Sequence, residues 1–410
     1  MLHDAPNILW IMATQWRRGA TGYAGDPNAR TPALDRLASQ GTVYAAAVTP
    51  HPFGPFARAA LLTGTTSPEN GVVDYFDPLR PDARTIAHRL GARGYGTAWF
   101  GKWHLARRDP DAPLVGETHA RMVVPPESRG GFGFWEGFEG GFLLNDPFLH
   151  GTRLVSPVQM RGYQSDIVCG RAAGWIEARP ADTPWFAAVS LEPPHPPYDA
   201  PAPAPRPDPD ELQLGPNVPR GGEVESRARR ELAGYHAHIT ATDRAIGELV
   251  GRARVAAGAT GRETRVVIFS VHGDMHGAHG CFRKGWPHEE SVGVPLLALR
   301  LCAPGAGHVE PRPVSLVQLP AMAETWAGGG EWSPTGGPVA ISMPSVVRLP
   351  HQCDRAWRGW RGDGWKIVYA DDPVRPWLVF HLEHDPWELD NLAGQTRGAA
   401  ILARGGVAAS

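Results

Sequence analysis

Four cysteines in 410 residues, at 169, 281, 302 and 353, are too few and too scattered to imply disulfides, and no C-x-x-C pair occurs. Neither sign of charge dominates. The formal net charge is −2, so no basic field speaks for nucleic acid. No apolar run is long enough to span a bilayer. Residues 1–7 are short and polar and lack the charged and apolar regions of an export signal. These absences predict a cytoplasmic protein with neither a membrane nor a nucleic-acid partner. What is abundant is glycine (49) and proline (41), and apolar runs continue between them, so long, well-turned loops are expected rather than disorder. The length accommodates one large α/β domain and a smaller one.

The chain is organised around residues 266–280. Val266-Val267-Ile268-Phe269-Ser270 is apolar and β-branched and stops abruptly in a cluster of Gly, His and Asp. This is the pattern of a buried parallel strand that delivers polar side chains at its carboxyl end. With His272, His276 and His279 inside eight residues, the stretch by itself invites a metal-site reading. Three other runs end the same way. Residues 7–13 lead into Thr14-Gln15, residues 96–100 into Lys102-Trp103-His104, and residues 185–191 into Glu192-Pro193-Pro194-His195. Further strands are predicted over 43–48 and 294–299. Helices are predicted from Thr31 as N-cap with Pro32 at the first position, from Ala59, and over 85–90, 166–178 and 223–254. Residues 106–162 and 199–220 read as loops. Beyond about residue 335, short alternating pieces at 365–369 and 377–380 predict a small antiparallel sheet with a last helix.

Seven stretches in order carry a resemblance. They are N-I-L-W-I-M from Asn7, T-P-A-L-D-R-L-A-x-x-G from Thr31, A-R-A-A-L-L-T-G from Ala57, G-K-W-H-L from Gly101, P-H-P-P-Y from Pro194, H-G-D-M-H-G-A-H-G from His272, and F-H-L-E-H-D-P-W-E-L-D-N-L from Phe380. Together they resemble the sulfatase family of the alkaline phosphatase superfamily, in wording nearest to choline sulfatases and phosphonate monoester hydrolases. The resemblance implies an α/β fold with a mixed, mostly parallel central sheet flanked by helices, plus a smaller C-terminal antiparallel lobe. Residues 1–335 would form the domain that carries the pocket, and residues 336–410 the lobe.

The family's chemistry uses a divalent cation held by oxygen ligands and a nucleophile in C-x-P-S-R that is converted to formylglycine. Matched position by position, a metal-binding Asp falls on Thr14, the nucleophile on Gly54 and a second ligand Asp on Val271, with His272 at the adjacent ligand position. No metal and no other cofactor is therefore expected. Arg58, Lys102, His104, His195 and Lys284 stand where the resemblance implies contacts to sulfate oxygens or to the nucleophile. A cavity with these cations and without the carboxylates should be strongly positive when empty, so an anion fills it or some lysine loses its proton.

Three readings follow. In the first, the protein is a metal-independent, repurposed enzyme for a small anionic substrate. His104, His195, His272 and Lys102 are its catalytic candidates, and Arg58, Lys284, Thr14 and Trp103 its substrate-binding ones. In the second, it is a catalytically dead pseudo-sulfatase that binds an anionic ligand or partner. In the third, it is an ordinary metal-dependent ester hydrolase. Plainer roles are open as well: Val271 and Thr14 as strand-end packing, Arg58 as a buried cap on carbonyls, and Glu192, Asp274 and His288 as loop or cap hydrogen-bonders. His276 and His279 are expected on a surface loop, and Trp16 and Trp286 beside the pocket. The substrate's identity and the oligomeric state are not legible.

Overall fold

The computed structural model describes residues 5–303 and 305–405. Its strands in chain order are β1 (Asn7–Ala13), β2 (Thr42–Val48), β3 (Gly96–Lys102), β4 (Phe134–Phe138), β5 (Phe148–Gly151), β6 (Val158–Gln159), β7 (Trp185–Ser190), β8 (Thr264–Ser270), β9 (Leu296–Arg300) and β10 (His308–Ser315). These ten form one sheet in the order β10-β2-β9-β8-β1-β7-β3-β4-β5-β6. The centre, β8-β1-β7-β3-β4, is parallel, while β9, β5 and β6 run antiparallel to their neighbours. A second, four-stranded antiparallel sheet comprises β11 (Val339–Met343), β12 (Trp357–Gly362), β13 (Trp365–Tyr369) and β14 (Leu378–His381). The fold is thus the mixed, mostly parallel sheet with flanking helices and a separate antiparallel sheet expected from the sequence.

Both faces of the large sheet are covered, which is why its central strands read as unbroken apolar runs. Ile8, Trp10 and Met12 of β1 join one core, with Phe56 and Leu62 of the helix Gly54–Thr63. Leu9, Ile11 and Ala13 point to the other core, with Val168 and Ile176 of the helix Gln164–Glu177 and Leu232 and Ile246 of the helix Glu223–Thr260.

Several local expectations are corrected. Residues 106–162 are not only loop, because they supply β4–β6 and extend the sheet. The helix expected from Ala59 begins at Gly54, with Phe53 extended before it and Pro55 in its first turn, where the missing N–H costs nothing. Thr31 makes no side-chain cap. Its hydroxyl accepts from the Gly22 amide and donates to Asp35, so a loop contact wins over the helix end.

One backbone approach positions the site. Gly101 has φ +87°, and a Cβ there would lie 2.1 Å from the Ser190 carbonyl oxygen of neighbouring β7. Gly101→Ala is expected to lose about 3 kcal/mol in a urea titration, because the left-handed backbone and the clash must both be accommodated at the end of β3. A loss under about 1 kcal/mol would mean that the strand end yields easily.

Candidate anion-binding site at the strand ends

Four parallel strands adjacent in the sheet end at one edge, and each releases its polar residues there. In spatial order they present Val271-His272 after β8, Thr14-Gln15 after β1, Leu191-Glu192 after β7 and the end of β3 at Lys102. Backbone bonds lock the ends together, Val271 N donating to Ala13 O (2.9 Å) and Leu191 N to Met12 O (2.8 Å). Arg58 reaches under them from the helix Gly54–Thr63. Its Nη1 donates to Ser190 Oγ (2.7 Å) and Lys102 O (3.0 Å), and its Nη2 to Thr14 Oγ1 (2.9 Å). Thr14 in turn donates to Leu191 O (2.9 Å). Arg58 is fully buried, is not among the residues that line the cavity above, and ties three strand ends together. Burial also brings its pKa down to about 10.

The cavity over these ends has a volume of about 320 Å³ and is lined by Thr14, Lys102, His104, His195, His272 and Lys284. Phe53, Tyr75 and Phe142 supply apolar walls, and residues 349–352, between β11 and β12 of the smaller sheet, supply a further wall. Beside it a wider cavity of about 510 Å³ shares Val115, Phe142, His195, Pro196 and Arg283 and extends to Arg206 and Arg230.

The electrostatics differ from a bare cluster of cations. Lys102 donates to Glu192 in an ion pair whose side chains are 1% and 0% exposed. The ammonium is thus answered inside the protein, and the expected excess of positive charge is smaller than the sequence implies. Lys284 is different. Its Nζ meets Gln15 Oε1 at 2.7 Å and His195 Nε2 at 2.9 Å, both uncharged acceptors. Burial, with Lys102 nearby, brings its pKa well below the ordinary lysine range. His195 Nδ1 lies 2.7 Å from Pro196 O, which only accepts, so Nδ1 carries the proton and Nε2 the lone pair. The ring stacks on Phe142 at 4.5 Å. His272 is fixed alike by Gly273 O at 3.0 Å, and its buried Nε2 has no partner among the described residues. His104 Nδ1 is also buried without a partner. Burial first, then neighbouring cations, holds His104, His195 and His272 well below 6.5. All three imidazoles are therefore neutral at pH 7.

Gly54, the position matched to the nucleophile, faces His104: a Cβ there would lie 2.7 Å from His104 Nδ1. The imidazole fills the room that a side chain at 54 would need. Val271 is fully buried in the core.

Other sequence-predicted residues sit elsewhere. Trp103, expected to bind substrate, is fully buried with its ring 4.8 Å from Trp99, packed against Phe132 and Trp135. It follows β3 on the side opposite Lys102 and belongs to the core. Trp16 donates from its indole to Ala20 O and is also core, and Trp286 donates to Phe282 O outside the cavity lining. His276 is not on the surface but fully buried between Tyr198 and Tyr235. His279 is half-buried and stacked on His288 at 4.3 Å. Gln15, not singled out in the sequence, is the residue that orders the floor. Its amide nitrogen donates to Asp274 and to Tyr198 Oη, which turns Oε1 toward Lys284. Asp274 also accepts from Tyr198 Oη and the His276 amide. Although burial alone would raise its pKa, His276, Arg283 and these donors keep it well below the usual carboxylate range. The adjacency of Gln15 to Thr14 was the only sequence signal.

As donors for a divalent cation these residues are poor. The lining offers the Thr14 hydroxyl, already engaged at both ends, the Tyr75 phenol, imidazole nitrogens, two lysines and two arginines, and no carboxylate; Gln15 Oε1 and Gln352 Oε1 are both taken by Lys284. A hard cation prefers six or more oxygens with carboxylates among them. Among the described residues, the three potential ligands that approach within 4.8 Å of one another are His279, Glu290 and Glu388, none of which lines the cavity.

The fold and this strand-end edge define a sulfatase-type α/β protein, and the comparisons agree. Residues 6–328 match the family model described as Sulfatase, and the chain belongs to the sulfatase family. It is 36% identical over 298 residues to an ulvan-active sulfatase of Formosa agariphila, an overlap covering 71% of this chain and 55% of that relative. The chain thus spans little more than half of that relative's length. A choline-sulfatase of Rhizobium meliloti is 25% identical over 452 aligned residues, 97% of this chain and 84% of the relative. Among solved structures, yidJ of Bacteroides fragilis superimposes with a TM-score of 0.79 at 24% identity, covering 97% of this chain and 93% of that one. No helix among the described residues is long and apolar enough to cross a membrane.

Proposed function

We propose that this sulfatase-family chain acts on a small molecule with an anionic group, held by Lys284, His272 and His104, with His195 positioning Lys284, without a divalent cation and without formylglycine. The observation that carries this reading is the pair of buried, unpartnered nitrogens, His104 Nδ1 and His272 Nε2, on residues that line one cavity with Lys284. Buried polar atoms without partners are costly, and a ligand oxygen satisfies them. An arriving oxyanion offsets the burial that keeps His104 neutral, so this imidazole takes up a proton and forms a charge-assisted hydrogen bond to it. His272 Nε2, with its lone pair toward the cavity, is the candidate general base, and His104 the second acid/base group. The glycine at 54 and the absence of carboxylates from the lining support a reaction that needs neither the family's nucleophile nor its cation.

Calorimetric titration of chelator-treated protein with inorganic sulfate and with phenyl sulfate tests this. Saturable binding is expected in both, and Lys284→Ala should weaken it at least ~10-fold, about 1.4 kcal/mol. Stoichiometric calcium, magnesium or manganese in the purified protein, with aryl sulfate turnover abolished by chelator, would establish the ordinary hydrolase, the reading favoured by the match to known sulfatases. Binding without turnover of any sulfate, phosphate or carboxylate ester would leave the pseudoenzyme.

A further inference from the structure

Only three of the 410 residues are lysine, at 102, 284 and 366, and all three are buried. Two sit in ion pairs, Lys102 with Glu192, and Lys366 with Glu388 (2.7 Å) and Glu289 (2.8 Å). Lys284 alone among them makes its hydrogen bonds to neutral groups, an amide oxygen and an imidazole nitrogen. Both acceptors are fixed from behind: Gln15 by Asp274 and Tyr198, and His195 by the Pro196 carbonyl. The nearby carboxylate of Asp274 is occupied by Gln15, Tyr198 and the His276 amide. Two N–H bonds of Nζ are thus spent, and the side chain lines the cavity with its remaining tetrahedral position uncommitted. The ring of Phe53, centred 5.3 Å away, closes an apolar side. Charged and titratable neighbours on the surrounding elements are Lys102, Arg283, Glu192, His195 and His272 besides Asp274.

We infer that Lys284 is a carbonyl-reactive amine and that this pocket forms an imine with a small aldehyde or ketone bearing an anionic group. The inference rests on the anion-binding reading above and names its substrate class. A desolvated lysine beside other cations keeps its lone pair at neutral pH, and burial favours that form here. The step balances within the pocket. The Nζ lone pair bonds to the carbonyl carbon while the C=O π pair moves to oxygen. His195 Nε2, 2.9 Å from Nζ, accepts the proton that the nitrogen loses. Returned to the alkoxide oxygen, that proton gives the neutral carbinolamine; the second nitrogen proton, passed to the hydroxyl by the same imidazole, lets water leave as the C=N bond forms. Amine and carbonyl give imine and water, and hydrolysis reverses the step.

Glyoxylate, a small aldehyde with a carboxylate, is the probe, with cyanoborohydride to fix the imine and N-acetyl-lysine in the same solution as reference amine. At pH 7, peptide mapping is expected to show Lys284 alkylated at least ~10 times faster than the reference, whose pKa is ~10.4. Acetaldehyde, lacking the anion, should label it more slowly, and sulfate should suppress the glyoxylate reaction. Gln15→Glu places a carboxylate against Nζ, and the pH at which labelling sets in should move upward, a shift that a merely structural role for Gln15 would not produce. Labelling of Lys284 no faster than the reference, or appearing only near the ordinary lysine pKa, would overturn the inference without any variant having to fold. In that event calorimetric sulfate binding separates the two ideas: if it persists, the imine chemistry alone fails, and if it is absent too, the anion-binding reading fails with it.

Discussion

Lowering the pH from 7 to 5 is expected to unfold the protein. His51, His238 and His276 titrate at about 4 in the folded chain and His236 at about 3, because burial penalises the imidazolium. His104, His195, His272 and His288 are held well below 6.5 for the same reason. Unfolded, each takes up a proton near 6.5. The unfolded chain therefore binds more protons at any pH between the folded values and 6.5, and stability present above 6.5 is lost as the pH falls. Buried carboxyls act in the opposite sense: Glu139 and Glu388 are raised to about 7 and Asp243 to about 6. They are outnumbered. Each group contributes up to ~1.4 kcal/mol per pH unit, so the net loss is several kcal/mol per unit against a total stability of about 5–15 kcal/mol. Melting temperatures in chloride buffers should fall on the order of 10 °C per pH unit below 6.5. A flat profile between pH 7 and 5 would show that these imidazoles are not buried as neutral groups.

Removing Glu192 should cost about 3–5 kcal/mol, because it strands the Lys102 ammonium in a site where neither side chain reaches solvent. Glu192→Ala is read from the urea midpoint. The double variant Lys102→Met, Glu192→Leu, which removes both charges, should recover most of the loss. The pair does more than close a charge. Lys102 lends its carbonyl to Arg58, and the Glu192 amide donates to Gln164 of the helix behind the sheet. The ends of β3 and β7 are thereby fixed on either side of the cavity. A loss under 1 kcal/mol would mean that Lys102 is already neutral beside a protonated Glu192.

Much of the molecule was legible before its structure. Nearly unbroken apolar runs at 7–13, 185–191 and 266–270 announce strands covered on both faces, and each breaks into polar residues where the sheet places its chemistry. His104, His195, His272 and Lys284 do converge on one cavity. Gln15 escaped notice because its role comes from partners 183 and 259 residues away. Trp103 misled for a related reason: its place in G-K-W-H-L says that it is near the site, but the alternation of side chains at a strand end turns it into the core while its neighbour Lys102 faces the cavity.

By itself the sequence determined the central strands, the order of the motifs and the residue identities at Thr14, Gly54 and Val271, since residue identity needs no coordinates. What only the tertiary structure decided is which charges find partners. Lys102 and Lys284 look alike in sequence, both following a strand or loop motif with a histidine a few residues further on, His104 and His288. The fold brings a carboxylate to one and only an amide and an imidazole to the other. Protonation follows from that difference, because a buried charge persists only where an opposite charge or a full set of hydrogen bonds offsets its lost hydration.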